Sequence, residues 1–174
     1  KILQLIGQTY TEQRQYDSAI QVLMEAQLIA DQQNLQVLGM AILDKLCRVS
    51  LELGDHHQAK VFAFKKRTIA QTLRDTDCIN LSNYLLAKAY LAENLLDSAL
   101  SYNTIALNSA LHLGRDTTER DIWIQQGAIL ARQNRAYPAI LALEKAQNLE
   151  DKIASNAERL KAERLRQEMT IRRA

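Results

Sequence analysis

The chain has 174 residues and a formal net charge of +2, from 22 basic and 20 acidic residues. Apolar residues make up 47% of it, while 5 glycines and 1 proline leave few breaks in helical segments. This composition predicts one helical domain or a short repeat array, and the nearly balanced charge does not indicate a nucleic-acid-binding protein. No apolar run reaches the roughly 18 residues that a membrane-spanning helix requires.

Alanines recur at a constant interval along the chain, each between a polar turn and a new amphipathic segment. They are Ala19, Ala59, Ala99 and Ala139. Self-similarity at such a period is typical of solenoid proteins, which stack helical hairpins. We therefore predict four hairpins, at about residues 1–34, 35–75, 76–114 and 115–149.

The first hairpin begins with an amphipathic helix, whose inward stripe consists of Leu3, Ile6, Gly7 and Tyr10. This helix is expected to end near Glu12. A second helix then opens, and Asp17 or Ser18 is able to cap its free N–H groups. Asn34 is predicted to end the second helix and the hairpin.

The next two hairpins show clear helix ends. Gly54 is predicted to adopt the left-handed conformation that commonly ends a helix, and Asp55 to cap the helix that follows. The polar cluster at residues 75–77 is the next capping candidate. Asn94 is predicted to lie in the turn of the third hairpin, and Gly114 to end that hairpin.

The fourth hairpin has Asn134 in its turn and Pro138 in the first turn of its second helix, where a missing N–H is harmless. Residues 150–174 then form a densely charged helix with a thin apolar stripe. Two interpretations remain open: a helix that caps the last hairpin, or a connecting helix or short coiled coil leading to a downstream domain. Because the chain starts at Lys1 inside an amphipathic pattern, we expect it to be a fragment of a longer protein.

The repeated unit resembles the tetratricopeptide repeat over about residues 1–149. In that family the first helix carries large, large, small and aromatic positions, and the second carries small, large and small ones. The first helices match through Leu3, Ile6, Gly7, Tyr10, Leu86, Ala87, Tyr90, Trp123, Gly127 and Leu130. The second helices match through Ala19, Leu23, Ala26, Ala139, Leu143 and Ala146. Four residues depart from the pattern, namely Cys47, Ser50, Lys66 and Asn103.

The period is longer than the family's usual length of about 34 residues. Six extra residues are roughly one and a half helical turns, which we expect to be shared between consecutive hairpins. A period of 40 alone would also suit HEAT-type repeats. The small residues favour the tetratricopeptide interpretation, since they allow the two helices of a hairpin to approach closely.

The resemblance implies a right-handed α-solenoid whose first helices line a concave groove. The predicted groove residues are Gln4, Gln8, Asp44, Arg48, Tyr84, Lys88, Ile124 and Ala128. Arg48 and Lys88 hold the same position in adjacent hairpins, about 10 Å apart, with Tyr84 beside them. They are candidates to bind an acidic side chain or a C-terminal carboxylate of a peptide. Alternatively, both are solvated and paired with Asp44 and Glu52.

Other chemistry is sparse. His56 and His57 are adjacent, so they face different directions on a helix, and no ligand set accompanies them. We predict no metal site, no cofactor and no catalytic group. The basic run at residues 65–67 lacks interleaved aromatics and is predicted to be a solvated face. Cys47 and Cys78 are predicted to be buried, reduced thiols.

These observations predict a non-enzymatic protein- or peptide-binding scaffold. The alternative is a sensory or regulatory domain of a bacterial signalling protein, such as a histidine kinase, nucleotide cyclase or transcription regulator, which transmits ligand binding through the C-terminal helix. Self-association through that helix is a further hypothesis. Reduced cysteines favour a cytoplasmic location, or a periplasmic one if a signal sequence precedes Lys1.

Overall fold

A computed structural model describes the backbone of residues 2–113 and 116–173, and the side chains of residues 2–111 and 116–165. These ranges contain helices and no strand. The helices are α1 (Ile2–Glu12), α2 (Tyr16–Gln32), α3 (Gln36–Leu53), α4 (His56–Thr72), α5 (Thr76–Ala92), α6 (Leu96–Leu113), α7 (Asp116–Arg132) and α8 (Ala136–Arg173). None of the described helices is both long and apolar enough to cross a membrane.

Consecutive helices pack against each other, in the order α1 on α2, α2 on α3, α3 on α4 and α4 on α5, and also α7 on α8. Short turns between helices of similar length make neighbours antiparallel. This pairing is that of an α-solenoid and confirms the predicted all-α fold class. The predicted helix end at Gly114 lies outside the described residues.

The turns repeat one backbone conformation. A residue with left-handed φ follows each of six helices, namely Arg14, Asn34, Gly54, Arg74, Asn94 and Asn134, with φ between 53° and 85°. The first five are evenly spaced along the chain, and the sixth follows the fifth after twice that spacing. In the first turn, Gln15 N donates to Tyr10 O at 2.9 Å, the bond that closes a Schellman motif, and the other five turns contain its equivalent. Identical turns therefore give α2, α3, α4 and α5, each with its connection, the same length in sequence.

Aspartates cap two of the helices, as predicted. The side chain of Asp55 accepts a hydrogen bond from Gln58 N at 3.0 Å, and that of Asp75 accepts one from Cys78 N at 2.9 Å. Each bond satisfies an N–H group that has no partner within its helix. These caps fix the starts of α4 and α5.

The predicted cap of α2 is wrong. Its N-cap is Gln15, which makes no side-chain capping bond, and Asp17 and Ser18 lie inside the first turn of the helix. The helix starts early because the left-handed residue Arg14 has already reversed the chain. Turn geometry, rather than the nearest polar side chain, sets this boundary.

The two helices of a hairpin approach each other closely at one position on each helix. A Cβ atom added at Gly7 would lie 2.7 Å from Leu23 Cγ, and one added at Gly127 would lie 2.8 Å from Leu143 Cγ. Real Cβ contacts are longer than this, so glycine is required opposite a leucine. At the equivalent positions of the middle hairpins the pairs are Cys47 with Ala63 and Ala87 with Asn103. A larger residue on the first helix thus accompanies a smaller one on the second.

The chain forms two compact units, residues 1–109 and 110–174. In the first unit, buried clusters surround Leu43 and Leu86, which have no exposed surface. In the second unit, α7 packs on α8 and buries Ile129. Each unit therefore has buried apolar residues of its own.

The charged C-terminal stretch continues α8 without a break, so it is not a separate helix. Every side chain from 154 to 165 is exposed, including Leu160 at 53%. Within the described part of the chain, this segment buries no apolar side chain. Its role as a cap or a connection stays a prediction.

Candidate peptide-binding surface

The first helices of the first unit form one layer, because α3 contacts both α1 and α5. Six predicted groove residues lie on this layer: Gln8, Arg48 and Lys88 are exposed, and Gln4, Asp44 and Tyr84 are partly buried. Ile124 and Ala128 lie on α7 in the second unit, where both are exposed. That these residues bind a ligand stays a prediction. We call the face formed by the six residues of the first unit the α1/α3/α5 face.

Gln4 and Gln8 have different surroundings. Lys45 Nζ donates to Gln8 Oε1 at 2.9 Å, which joins α3 to α1, and Gln8 Nε2 donates to Glu12 Oε1 at 3.1 Å. Gln4 instead lines a mainly apolar cavity of about 330 Å³, together with Ile42 and other residues of α1, α2 and α3. Only Gln8 therefore presents its amide alongside the charged residues of this face.

A buried ion pair joins α4 to the α1/α3/α5 face. Lys66 Nζ donates to Asp44 Oδ1 at 2.6 Å, and Arg48 Nε donates to Asp44 Oδ2 at 2.8 Å. The Lys66 side chain is 2% exposed, that of Asp44 20% and that of Arg48 49%. Burial alone would raise the pKa of Asp44, but the charges and hydrogen bonds of Lys66 and Arg48 outweigh it and hold this pKa below its usual value. The Asp44 carboxylate therefore forms ion pairs with two cations, Lys66 and Arg48.

The Cys47 thiol lies beneath these charges. Burial raises the pKa of Cys47 to about 12, and the Asp44 carboxylate acts in the same direction. The positive charges of Lys66, Arg48 and Lys88 oppose this rise, which shows that all three act on the same sulfur. Arg48 of α3 and Lys88 of α5 thus both lie close enough to Cys47 to influence its pKa. The thiol itself is protonated at neutral pH and has no exposed surface, so it serves packing rather than chemistry.

The three consecutive basic residues of α4 do not form a solvated face, and that prediction is wrong. Lys66 is buried. The Arg67 guanidinium lies 5.9 Å from the Phe64 ring centroid and 5.7 Å from that of Tyr102, and its Nη1 donates to Asn83 Oδ1 at 3.3 Å. The aromatic rings that are missing within the run come from the preceding turn and from α6. Stacking on them removes much of the Arg67 side chain from water.

The remaining candidates form no reactive site. Among the described residues, no group of three or more His, Cys, Asp or Glu side chains is placed to hold a metal ion. His56 is partly buried and His57 is exposed at the start of α4. Both cysteines are free, and Cys47 is buried as predicted, but Cys78 is only partly buried. Burial and a hydrogen bond with Asp75 raise the pKa of Cys78.

Comparison with known proteins identifies the repeat. Residues 1–33 match the family model of the tetratricopeptide repeat. This segment is the α1–α2 hairpin, in which Gly7 packs on Leu23. The chain carries a tetratricopeptide repeat. No match was found among curated proteins.

The match confirms the predicted family, and the assignment of the later units to it, like the length of their period, stays a prediction. Tetratricopeptide repeats generally mediate protein–protein interactions and are a non-catalytic scaffold type. In the repeat of α1 and α2, Ala26 is the second small residue of the second helix. The residues at the same position of the later hairpins are Lys66, Ala106 and Ala146, and all four are buried.

The buried lysine is the residue of this surface that sequence reasoning missed. Lys66 stood out as a departure from the tetratricopeptide pattern, but the adjacent Lys65 and Arg67 made the run look solvated. Lys66 holds the same position in its hairpin as Ala26, Ala106 and Ala146, and this correspondence could have predicted its burial. A lysine in such a position requires a carboxylate nearby, and Asp44 of α3 is that carboxylate.

Proposed function

We propose that the chain is a non-catalytic protein-binding scaffold whose α1/α3/α5 face binds an acidic peptide. The contacting group would be an acidic side chain or a C-terminal carboxylate. The observation that supports this is the ion pair between buried Lys66 and Asp44. Because Lys66 already neutralises Asp44, the charge of the half-exposed Arg48 is not balanced at that carboxylate.

The free donors of this face suit a carboxylate. Arg48 holds Asp44 through Nε, and its Nη atoms make no hydrogen bond to the described residues. Lys88, exposed on α5, likewise has no hydrogen bond or ion pair within the described part of the chain. A guanidinium that is already oriented by Asp44 loses little further freedom when it binds a ligand. Arg48 is therefore the proposed primary contact, and Lys88 the second one.

No observation favours the sensory or regulatory alternative, so we do not propose it. Among the described residues, the partly exposed charges on the first helices offer binding groups, whereas the buried Cys47 offers no reactive one. A non-catalytic role agrees with the scaffold type to which the first repeat belongs. A cytoplasmic location remains a prediction.

Charge reversal on the face tests the proposal. A library of short peptides with free C-terminal carboxylates is screened on the full chain, and the tightest binder is titrated by fluorescence anisotropy. We expect acidic peptides to be selected. The double variant Arg48→Glu/Lys88→Glu should weaken binding at least tenfold, because it removes two charge-assisted contacts worth about 1.5 kcal/mol each.

The matched control is Lys161→Glu/Arg164→Glu, which makes the same change of net charge on the exposed part of α8. This control should leave the affinity unchanged at physiological salt, where distant surface charges are screened. Equal affinities for the wild type and the Arg48→Glu/Lys88→Glu variant would reject the assignment of this face. Selection of peptides that contain no acidic residue and keep their affinity when the C-terminal carboxylate is amidated would reject it as well.

A further inference from the structure

A second surface groove lies between α2 and α4, above α3. It has a volume of about 490 Å³, and its lining is mostly apolar. Its walls and floor include Met24, Leu28, Val61, Phe62, Leu43 and Leu46. The two floor leucines are fully buried, whereas Met24, Leu28 and Val61 are 53%, 58% and 46% exposed. We call this feature the α2–α4 groove.

The equivalent positions one hairpin later are filled by the protein itself. Between α4 and α6, the Arg67 guanidinium lies over the rings of Phe64 and Tyr102 and bonds to Asn83. These side chains occupy the positions that line the α2–α4 groove, shifted by one repeat. An arginine therefore covers the apolar surface between the second helices of that pair of hairpins.

The α2–α4 groove has no such cover. The residue equivalent to Arg67 is Gln27, whose Nε2 donates to Asp31 Oδ1 at 2.8 Å. The residue equivalent to the polar Asn83 is Leu43, which offers no hydrogen-bond acceptor on its side chain. The same location is thus closed by a side chain in one hairpin pair and left open and apolar in the preceding one. An open, mostly apolar groove of this kind is a candidate binding site.

The charges around the α2–α4 groove are not symmetrical. Helix α2 contains three acidic residues and no basic one: Asp17, Glu25 and Asp31. Asp31 pairs with Lys65 of α4 at 2.8 Å, and this pair bridges the groove. Among the described residues, Glu25 at the rim has no ion-pair partner. The α2 wall therefore carries unbalanced negative charge.

The other basic residues of α4 are not available to balance it. Lys60 pairs with Glu93 at 2.6 Å, and Lys66 pairs with Asp44 at the same distance. Arg67 lies over the rings of Phe64 and Tyr102, between α4 and α6. The exposed Glu25 carboxylate is therefore available to pair with a basic group of a binding partner.

We propose that the α2–α4 groove binds the apolar face of a basic amphipathic helix from a partner protein. The groove follows α2 from Met24 to Asp31, which is about two helical turns or roughly 10 Å. This length accommodates apolar side chains spaced i, i+3 or i+4, and i+7 on a bound helix. A lysine or arginine beside them would face Glu25. The walls of the groove are the second helices α2 and α4, and its lining contains none of the six residues of the α1/α3/α5 face.

A counter-selected peptide library tests this proposal. Random peptides long enough for four helical turns are displayed on phage, selected on the full chain and depleted on its Val61→Glu variant. Because Val61 is half exposed, the variant is expected to fold, which circular dichroism checks. We expect enriched sequences with helical apolar spacing and net positive charge. The best peptide should lose at least tenfold in affinity on Val61→Glu and at least threefold on Glu25→Lys.

The matched control is Ser101→Glu, which introduces the same carboxylate at the exposed equivalent position of the next hairpin. It should leave the affinity of the selected peptide unchanged. Absence of enrichment after depletion, enrichment of acidic or non-amphipathic sequences, or equal loss on Ser101→Glu would each overturn the proposal. So would light scattering that shows a wild-type dimer and a Val61→Glu monomer, since the occupant would then be a second copy of the chain.

Discussion

Lys66 is buried at a position where three other hairpins bury alanines. Removing an ammonium group from water costs several kcal/mol, which only a close carboxylate with good geometry can offset. Asp44 meets that condition at 2.6 Å, and it also binds Arg48. At this position one repeat has thus exchanged a small packing residue for a charge pair that links its two helices.

The three charges predict an order of stabilities. Asp44→Asn leaves Lys66 buried without a counter-charge and should lower the free energy of unfolding by about 3–5 kcal/mol. Lys66→Met should cost less, about 1–3 kcal/mol, because Arg48 still neutralises Asp44. The double variant Asp44→Asn/Lys66→Met should be more stable than Asp44→Asn alone, because it no longer buries an unpaired lysine. Urea denaturation followed by circular dichroism measures all three, and a double variant that is the least stable would contradict this account.

The lowered pKa of Asp44 gives this pair a pH dependence. In the unfolded chain the pKa of an aspartate is about 3.9, and in the folded protein that of Asp44 is lower. The stabilisation by its charge is therefore complete above about pH 5 and is lost as the pH falls through the folded pKa. The difference in unfolding free energy between the wild type and Asp44→Asn should be constant from pH 5 to 8 and shrink below pH 4. A difference that grows on acidification would contradict the assignment.

At the scale of the helix pair, packing depends on complementary sizes across the hairpin. Gly7 faces Leu23 and Gly127 faces Leu143, and in each pair a Cβ on the glycine would overlap the leucine. This arrangement keeps the two helices close while the large residue fills the space between them. The size relation belongs to the pair rather than to either residue.

A double-mutant cycle tests this relation. Gly7→Ala should destabilise the protein by about 1–3 kcal/mol, although alanine favours a helix more than glycine does, because its Cβ would lie 2.7 Å from Leu23. In a Leu23→Ala background the same change should cost less than half as much. Gly39→Ala is the control, since its nearest neighbour is the end of the Gln27 side chain at 3.2 Å. Equal costs of Gly7→Ala in both backgrounds, measured by urea denaturation, would refute the pairing.

The sequence was sufficient for features that depend on local residue patterns. The spacing of small residues predicted the helix pairs, and Gly54 and Asp55 predicted a helix end and a cap, because these residues act through local backbone geometry. The start of α2 was not predictable in this way, since a left-handed arginine makes that turn. The burial of Lys66 was not predicted either, because it depends on the Asp44 carboxylate, which belongs to the preceding helix.

At the scale of the whole molecule, the small net charge conceals a separation within the first unit. The α1/α3/α5 face presents Arg48 and Lys88, whereas α2 presents acidic residues beside an open apolar groove. The exposed basic residues thus lie on the first helices of the second and third hairpins, and the acidic residues on the second helix of the first hairpin. Under the two proposals above, an acidic peptide would bind the α1/α3/α5 face and a basic helix the α2–α4 groove.

The exposed part of α8 is expected to contribute little to folding. Residues 154–165 bury no apolar side chain, and a helix that packs on nothing has marginal stability in water. Truncation after Ile153 should therefore change the free energy of unfolding by less than about 1 kcal/mol. Urea denaturation followed by Trp123 fluorescence measures it. Truncation after Lys145, which also removes the buried Ala146, should be clearly destabilising.

Light scattering of the same truncated protein tests self-association through this helix. If the exposed Leu160 and its neighbours pair between copies, the full chain should form an oligomer and the chain truncated after Ile153 a monomer. The loss of stability on truncation should then grow with protein concentration, because association stabilises the folded state by mass action. A full chain that stays monomeric at high concentration would exclude pairing through this segment. The exposed leucines would then serve neither the fold of the second unit nor its assembly.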